Sequence, residues 1–217
     1  MNCLKLFFLL LSLTTLNAQE EPSIQATFTI IGLGDNLPKD YLYVSNGQAL
    51  EIGRIAPNYR SKPKQYNGPE TFSLYKRNPE GDLSVYAQAE IPQGMSNFLA
   101  VLIAESSDTG KLILYNDSTD AFAPGSYCFV NTTPHRIAGL LGKRKMLINP
   151  GESAILKPNV AANEYFGIDL RSEQNNVWNP GFSSRWRHRS STRIMMFLYM
   201  DPNNPTSILA QSVPQHF

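Results

Sequence analysis

The chain has 217 residues, of which 42% are hydrophobic and 17% charged, and its formal net charge is +1. That apolar content fills one large or two small cores, which excludes a disordered chain. The near-neutral balance argues against nucleic acid as a partner.

The N-terminus places Lys5 before an apolar run from Leu6 to Leu13, then the small Ala18 ahead of a polar, acidic stretch. This reads as a secretory signal sequence, residues 1–18, with cleavage expected after Ala18 and a secreted or periplasmic destination. The run is too short for a permanent membrane span, and "IMMFLYM" near the C-terminus stops at Asp201 after a strand's worth of residues. No transmembrane segment is therefore expected in the processed chain. Cys3 leaves with the signal, so Cys128 is alone and forms no intramolecular disulfide. Its setting, "SYCFVN", alternates like a strand and predicts a small buried hydrophobe.

Beyond Ala18 the chain reads as short strands separated by turns. In order, "ATFTIIGL", "YLYVSN", "LEIGRI", "TFSLYKR", "LSVYAQAEI", "FLAVLIAE" and "KLILYN" precede the polar "NDSTDAFAPG". After it come "YCFVN", "RIAGLLG", "SAILKP", "YFGIDLR" and "RIMMFLYMD". Each run alternates at period two or forms a short apolar block, and "NG", "NPEGD", "PQG", "SSDTG", "APG", "NPG" and "DPNNP" supply the turns. No long stretch carries helical apolar spacing between two caps, so an all-β fold is expected.

The halves echo each other. "YLYVSNGQALEIGRI", "YNGPETFSLYKR" and "SNFLAVLIAE" find counterparts in "YCFVNTTPHRIAGLLG", "INPGESAILKP" and "TRIMMFLYMD". This internal repeat predicts two immunoglobulin-like or related Greek-key β-sandwich units, residues 19–120 and 121–217, in tandem or fused. Residues 172–191 have no counterpart of similar character in the first half and are expected to form a distinctive loop or hairpin.

Motifs for chemistry are sparse. "GMSNF" and "GFSSR" lack the closing glycine of a nucleophile elbow. Beyond the signal, His135, His188, His216 and Cys128 make too small a set for a zinc or copper site, and the spacing of Cys128, His135 and Met146 does not fit a cupredoxin. "NDSTD" lacks the ligand pattern of a calcium loop, and Gly32 and Gly34 in "IIGLGDNL" lack the third glycine of a dinucleotide fingerprint. Neither metal nor cofactor is expected. Asn116 and Asn131 match the glycosylation acceptor pattern, although Asn131 also suits a strand end.

Charge is segregated. Seven acids face one base between Asn78 and Asp120, whereas ten bases face four acids between Arg136 and Arg193. Within the basic part, Arg185, Arg187 and Arg189 occupy every second position, with Trp178 and Trp186 in the same segment. On a strand the arginines share one face, and Trp186 and His188 the other. The row then either binds an anionic partner, an acidic glycan or envelope protein, or is the solvated face of a strand whose charge opposes edge pairing. An internal partner, the acidic segment from Glu80 to Asp120, is a further possibility. The sequence thus predicts an exported, non-catalytic binding module using Arg185, Arg187, Arg189, Trp178 and Trp186. The alternatives are a structural or assembly component of the envelope and an enzyme acting on an envelope polysaccharide through carboxylates that sequence does not pair.

Overall fold

Alternation sets the architecture from the first strand, β1 (Ile24–Leu33). Ala26, Phe28 and Ile30 turn to one side, Thr29 and Ile31 turn to the other, and both sets are buried. A strand covered on both faces belongs in the middle of a layered stack. The computed structural model describes residues 23–33, 37, 40–57, 59–78, 80–201 and 203–217, so the expected signal sequence and cleavage point lie outside the described residues.

The first unit continues with β2 (Leu42–Ser45), β3 (Gln48–Glu51), β4 (Lys64–Gly68), β5 (Thr71–Arg77), β6 (Leu83–Glu90), β7 (Asn97–Ala104) and β8 (Gly110–Asn116). One sheet has the order β4-β1-β7-β8 and the other β3-β2-β5-β6. The second unit comprises β9 (Tyr127–Asn131), β10 (Ile137–Leu141), β11 (Arg144–Ile148), β12 (Ser153–Leu156), β13 (Tyr165–Gln174), β14 (Val177–Arg187), β15 (Thr192–Asp201) and β16 (Asn204–His216). Its sheets run β12-β9-β15-β16 and β11-β10-β13-β14. The fold is all-β, with four four-stranded sheets in two pairs.

Adding eight to every strand number of the first unit reproduces the second. Even the parallel pair recurs, as β1 with β7 and as β9 with β15. An immunoglobulin constant-type domain is arranged differently, with ABED facing CFG in two antiparallel sheets. By connectivity "YLYVSNGQALE" answers "IAGLLGKRKMLI", each a hairpin, and "FLAVLIA" answers "TRIMMFLYMD". The sequence echo paired the last of these correctly. It set "YLYVSN" against "YCFVN" and "ETFSL" against "ESAIL" one strand out of step, because short alternating runs ending in turn residues resemble their neighbours. Residues 172–191 likewise have a counterpart in connectivity, the β5–β6 hairpin.

Three cores follow. The first lies between the sheets of the first unit, where the Phe28 ring meets Tyr43 and Phe72 edge-on at 5.1 and 4.8 Å and stacks on Phe98 at 5.5 Å. The second, inside the other unit, centres on Tyr127, Phe166, Ile168, Met196 and Leu198. The third joins the units: Ile31, Leu99 and Val101 from the β1 sheet meet Cys128, Val130, Met195, Phe197 and Val213 from the β9 sheet, with Phe122 from the connecting segment. This explains "FLAVLIA" and "RIMMFLYM". Strands β7 and β15 have a hydrophobic core on each face and therefore lack the polar half of the alternation.

Candidate functional site

Strand β14 is the last in its sheet and, among the described strands, pairs only with β13, placing Gly167 opposite Arg185, Phe166 opposite Trp186 and Tyr165 opposite Arg187. The hairpin between them turns on Asn175 and Asn176, both at positive φ (53° and 62°), a conformation asparagine tolerates better than most residues. Arg185, Arg187 and Arg189 are exposed, Trp186 is half-buried and His188 is buried. Trp186 and His188 pack toward the second core, with ring centroids 5.9 and 6.3 Å from Tyr127. The two-sided arrangement expected of the arginine row is therefore present.

Two of the arginines are held in place. The Arg185 guanidinium sits over the Tyr165 ring at 5.1 Å, and Arg187 Nε donates to the Asn163 carbonyl at 3.2 Å. Strands β14 and β16 touch where Gly181 passes Ile208, so closely that a Cβ on Gly181 would lie 2.7 Å from Ile208 Cδ1. Toward the arginines they part, leaving an open cleft of about 420 Å³. Arg185, Arg187 and Arg189 line it together with Trp186, Tyr127, Ile194 and Pro214, and it is completed by Thr192 and His216, whose side chains bond at 2.9 Å. Among the described residues no carboxylate lines it. Two cavities of similar size, about 450 and 430 Å³, mix charges: Asp40 and Glu51 beside Lys76 and Arg77, and Asp117 and Asp120 beside Arg193.

Trp178 is not part of this cleft. It lies eight residues before Trp186 on the same strand, about 27 Å away at the rise of an extended chain. It is 37% exposed and faces Glu173 across the hairpin. The structure thus brings together Arg185, Arg187, Arg189 and Trp186 and leaves Trp178 outside.

Arg193, which belongs to the same basic segment in sequence, has a different role. Its side chain is 2% exposed and all its donors are used: Nε and Nη2 bond Gln215 Oε1 at 2.9 and 2.7 Å, Nη1 bonds the Phe122 and Ser118 carbonyls at 2.5 and 3.3 Å, and Nη2 also bonds the Asp117 carbonyl at 2.8 Å. Nη2 lies 3.0 Å from Asp117 Oδ1, while Arg60 Nη1 reaches Asp117 Oδ2 at 2.5 Å. One buried carboxylate is therefore shared by a guanidinium from each unit. Burial draws the Arg193 pKa down, opposed by the attraction of Asp117. Arg60 Nε and Nη2 are buried with no hydrogen-bond partner among the described residues. An acid of the acidic segment is thus an internal partner of the basic one, and a carboxylate so engaged is unavailable as a calcium ligand. The sequence signal was the single charge among "TRIMMFLYM"; the carboxylate it meets is 76 positions away, and Arg60, the second guanidinium on that carboxylate, is 133 positions away.

Cys128 sits in the core between the units, where burial pushes its thiol up to about 12, so it remains protonated at neutral pH. Asn131 is fully buried; its amide donates to the His135 and Ile148 carbonyls, and its Oδ1 accepts from Thr133, which leaves no room for a glycan. Burial, aided by the nearby Lys157 charge, lowers the His188 pKa from 6.5, and its Nδ1 has no hydrogen-bond partner among the described residues. Below that value the unfolded chain takes up a proton that the folded chain resists. His188 should therefore cost no stability above pH 6.5 and up to about 1.4 kcal/mol per pH unit as the pH falls below it. Denaturant titrations between neutral and mildly acidic pH should show this slope in the wild type and its loss in His188→Phe.

Comparison with known proteins finds no matching family model and no curated protein of significant similarity.

Proposed function

We propose that this is an exported, non-catalytic interaction module of the envelope or extracellular space, which holds an anionic partner in the cleft between β14 and β16. The observation that carries the reading is a comparison within the molecule. Strand β6 has the same place in the first unit as β14 in the second, at the edge of the same sheet order, and its sequence, "LSVYAQAE", contains no arginine. The fold does not require a cationic edge strand there, so the three arginines answer to something else. Two are already positioned by Tyr165 and Asn163, which reduces the ordering cost of binding. The aromatic and aliphatic floor would take the apolar body of a partner whose acidic groups meet the guanidiniums. Acidic glycans and acidic protein segments both meet this description. The export half of the reading rests on the character of residues 1–18.

A structural or assembly role is the second reading, supported by the length of β14, an edge strand on which arginines oppose unwanted pairing. The test is binding of wild type and of an Arg185→Ser, Arg187→Ser, Arg189→Ser variant to acidic and neutral glycans and to polyglutamate, at low and high salt. A site of this kind predicts salt-sensitive binding to acidic ligands alone. Two charge-assisted contacts at about 1.5 kcal/mol each imply a loss of roughly 100-fold in the variant. Equal behaviour of both proteins, with unchanged melting temperatures, would leave the assembly role.

A further inference from the structure

The free edge of β14 narrows the choice of anion. His188 N donates to the Glu164 carbonyl at 2.8 Å, and the His188 carbonyl accepts from Asn163 N at 2.8 Å, so His188 turns its backbone toward β13. Along an antiparallel strand this orientation alternates, so the N–H and C=O of Trp186 also face β13 and those of Arg185 and Arg187 face away. Among the described residues no strand pairs on that side, and the approach is open because β14 and β16 have parted beyond Gly181. The same two residues therefore offer a cation on the exposed face and, at the edge, a pair of backbone groups that no described strand takes up.

We infer that the occupant is an extended acidic polypeptide segment with a carboxylate at every second residue, added as an antiparallel strand to β14 opposite Arg185 and Arg187. The inference rests on the anion-cleft reading and deepens it. Spacing supports it: Arg185 and Arg187 are one strand repeat apart, about 6.5–7 Å, which is also the repeat of alternate side chains in any strand laid beside them. Directly opposed carboxylates would meet the guanidiniums, and the main chain would continue the ladder. A glycan has no amide ladder to match those edge groups. A second copy of β14 would set arginine against arginine, so the charge that favours an acidic strand disfavours self-association.

The experiment uses a fluorescent peptide of alternating Glu and Thr, the same composition with the acids in one block, and two N-methylated forms of the alternating peptide, at Glu nitrogens or at Thr nitrogens. Anisotropy is measured with the full chain and with Arg185→Ser, Arg187→Ser. The alternating peptide should bind about tenfold more tightly than the blocked one, the advantage expected of two opposed ion pairs. Methylation at Glu, whose N–H would face β14, should abolish binding, while methylation at Thr should leave it within about twofold, since those groups point away. The double variant should lose the interaction. If all four peptides bind alike and all depend on the arginines, or if only an acidic glycan binds in that way, the cleft reading stands and strand addition is wrong. If nothing binds in an arginine-dependent way, both are wrong.

Discussion

An Asp117→Ala variant should be the most destabilised single substitution at a polar position in this protein, by about 3–5 kcal/mol, because it leaves two guanidiniums buried without their shared counter-charge. For a chain of this size that corresponds to a fall of roughly 10 °C in melting temperature. Arg60→Ala should cost less. It removes one ion pair, but it also removes the buried Nε and Nη2, which have no partner among the described residues, and it leaves Asp117 with Arg193. Denaturant melts of the two variants give the order directly. A larger loss for Arg60→Ala would mean that Arg193 alone does not hold the carboxylate.

Phe197→Ala should cost a similar amount, about 3–5 kcal/mol for a large aromatic removed from a close-packed interior. Phe197 is 1% exposed and lies in the core between the β1 and β9 sheets, with Tyr115 against its ring at 6.2 Å. Because this core belongs to neither sandwich alone, the variant should weaken both. Trp178 and Trp186, the two tryptophans, both lie in the second unit, so their fluorescence follows that unit while far-UV dichroism follows the whole chain. Both signals should shift together in one transition. A first unit that melts at its wild-type midpoint would mean that the sandwiches are only loosely coupled.

The β character of the chain was legible in its alternating runs and turn residues, and the two-unit organisation in the recurrence of a strongly apolar strand at β7 and β15. What alternation does not encode is which runs become neighbours. Short strands carry too little individuality to fix that, which is why the sequence echo falls one strand out of step in two of three places. Strand β16 has no clear alternating run to mark it in the sequence. Its "SILAQSVPQH" mixes polar residues and Pro214 with apolar ones, as suits an edge strand whose register is set by long pairing with β15.

The candidate site shows the same division. Alternation put the arginines on one face and Trp186 on the other, because that needs only the geometry of one strand. It did not place Trp178, which shares the segment but not the location. Nor did it separate Arg193 from Arg189, although four residues later, past a turn and at the start of β15, the chain has gone from the exposed cleft into the interior. There the guanidinium meets Asp117 and Phe122, with its carbon 4.9 Å from the Phe122 ring centre. Such partners are fixed by how the two units pack, and no local pattern announces them.

The two tryptophans also provide the most direct test of the cleft. Each gives one indole N–H signal, Trp186 from the cleft and Trp178 from about 27 Å along the strand. On titration with polyglutamate at low salt, the Trp186 signal and the guanidinium signals of Arg185 and Arg187 should shift together and saturate, while Trp178 stays in place, and added salt should reverse the change. Shifts centred on Trp178, or a Trp186 signal that does not move as the polymer binds, would contradict the account.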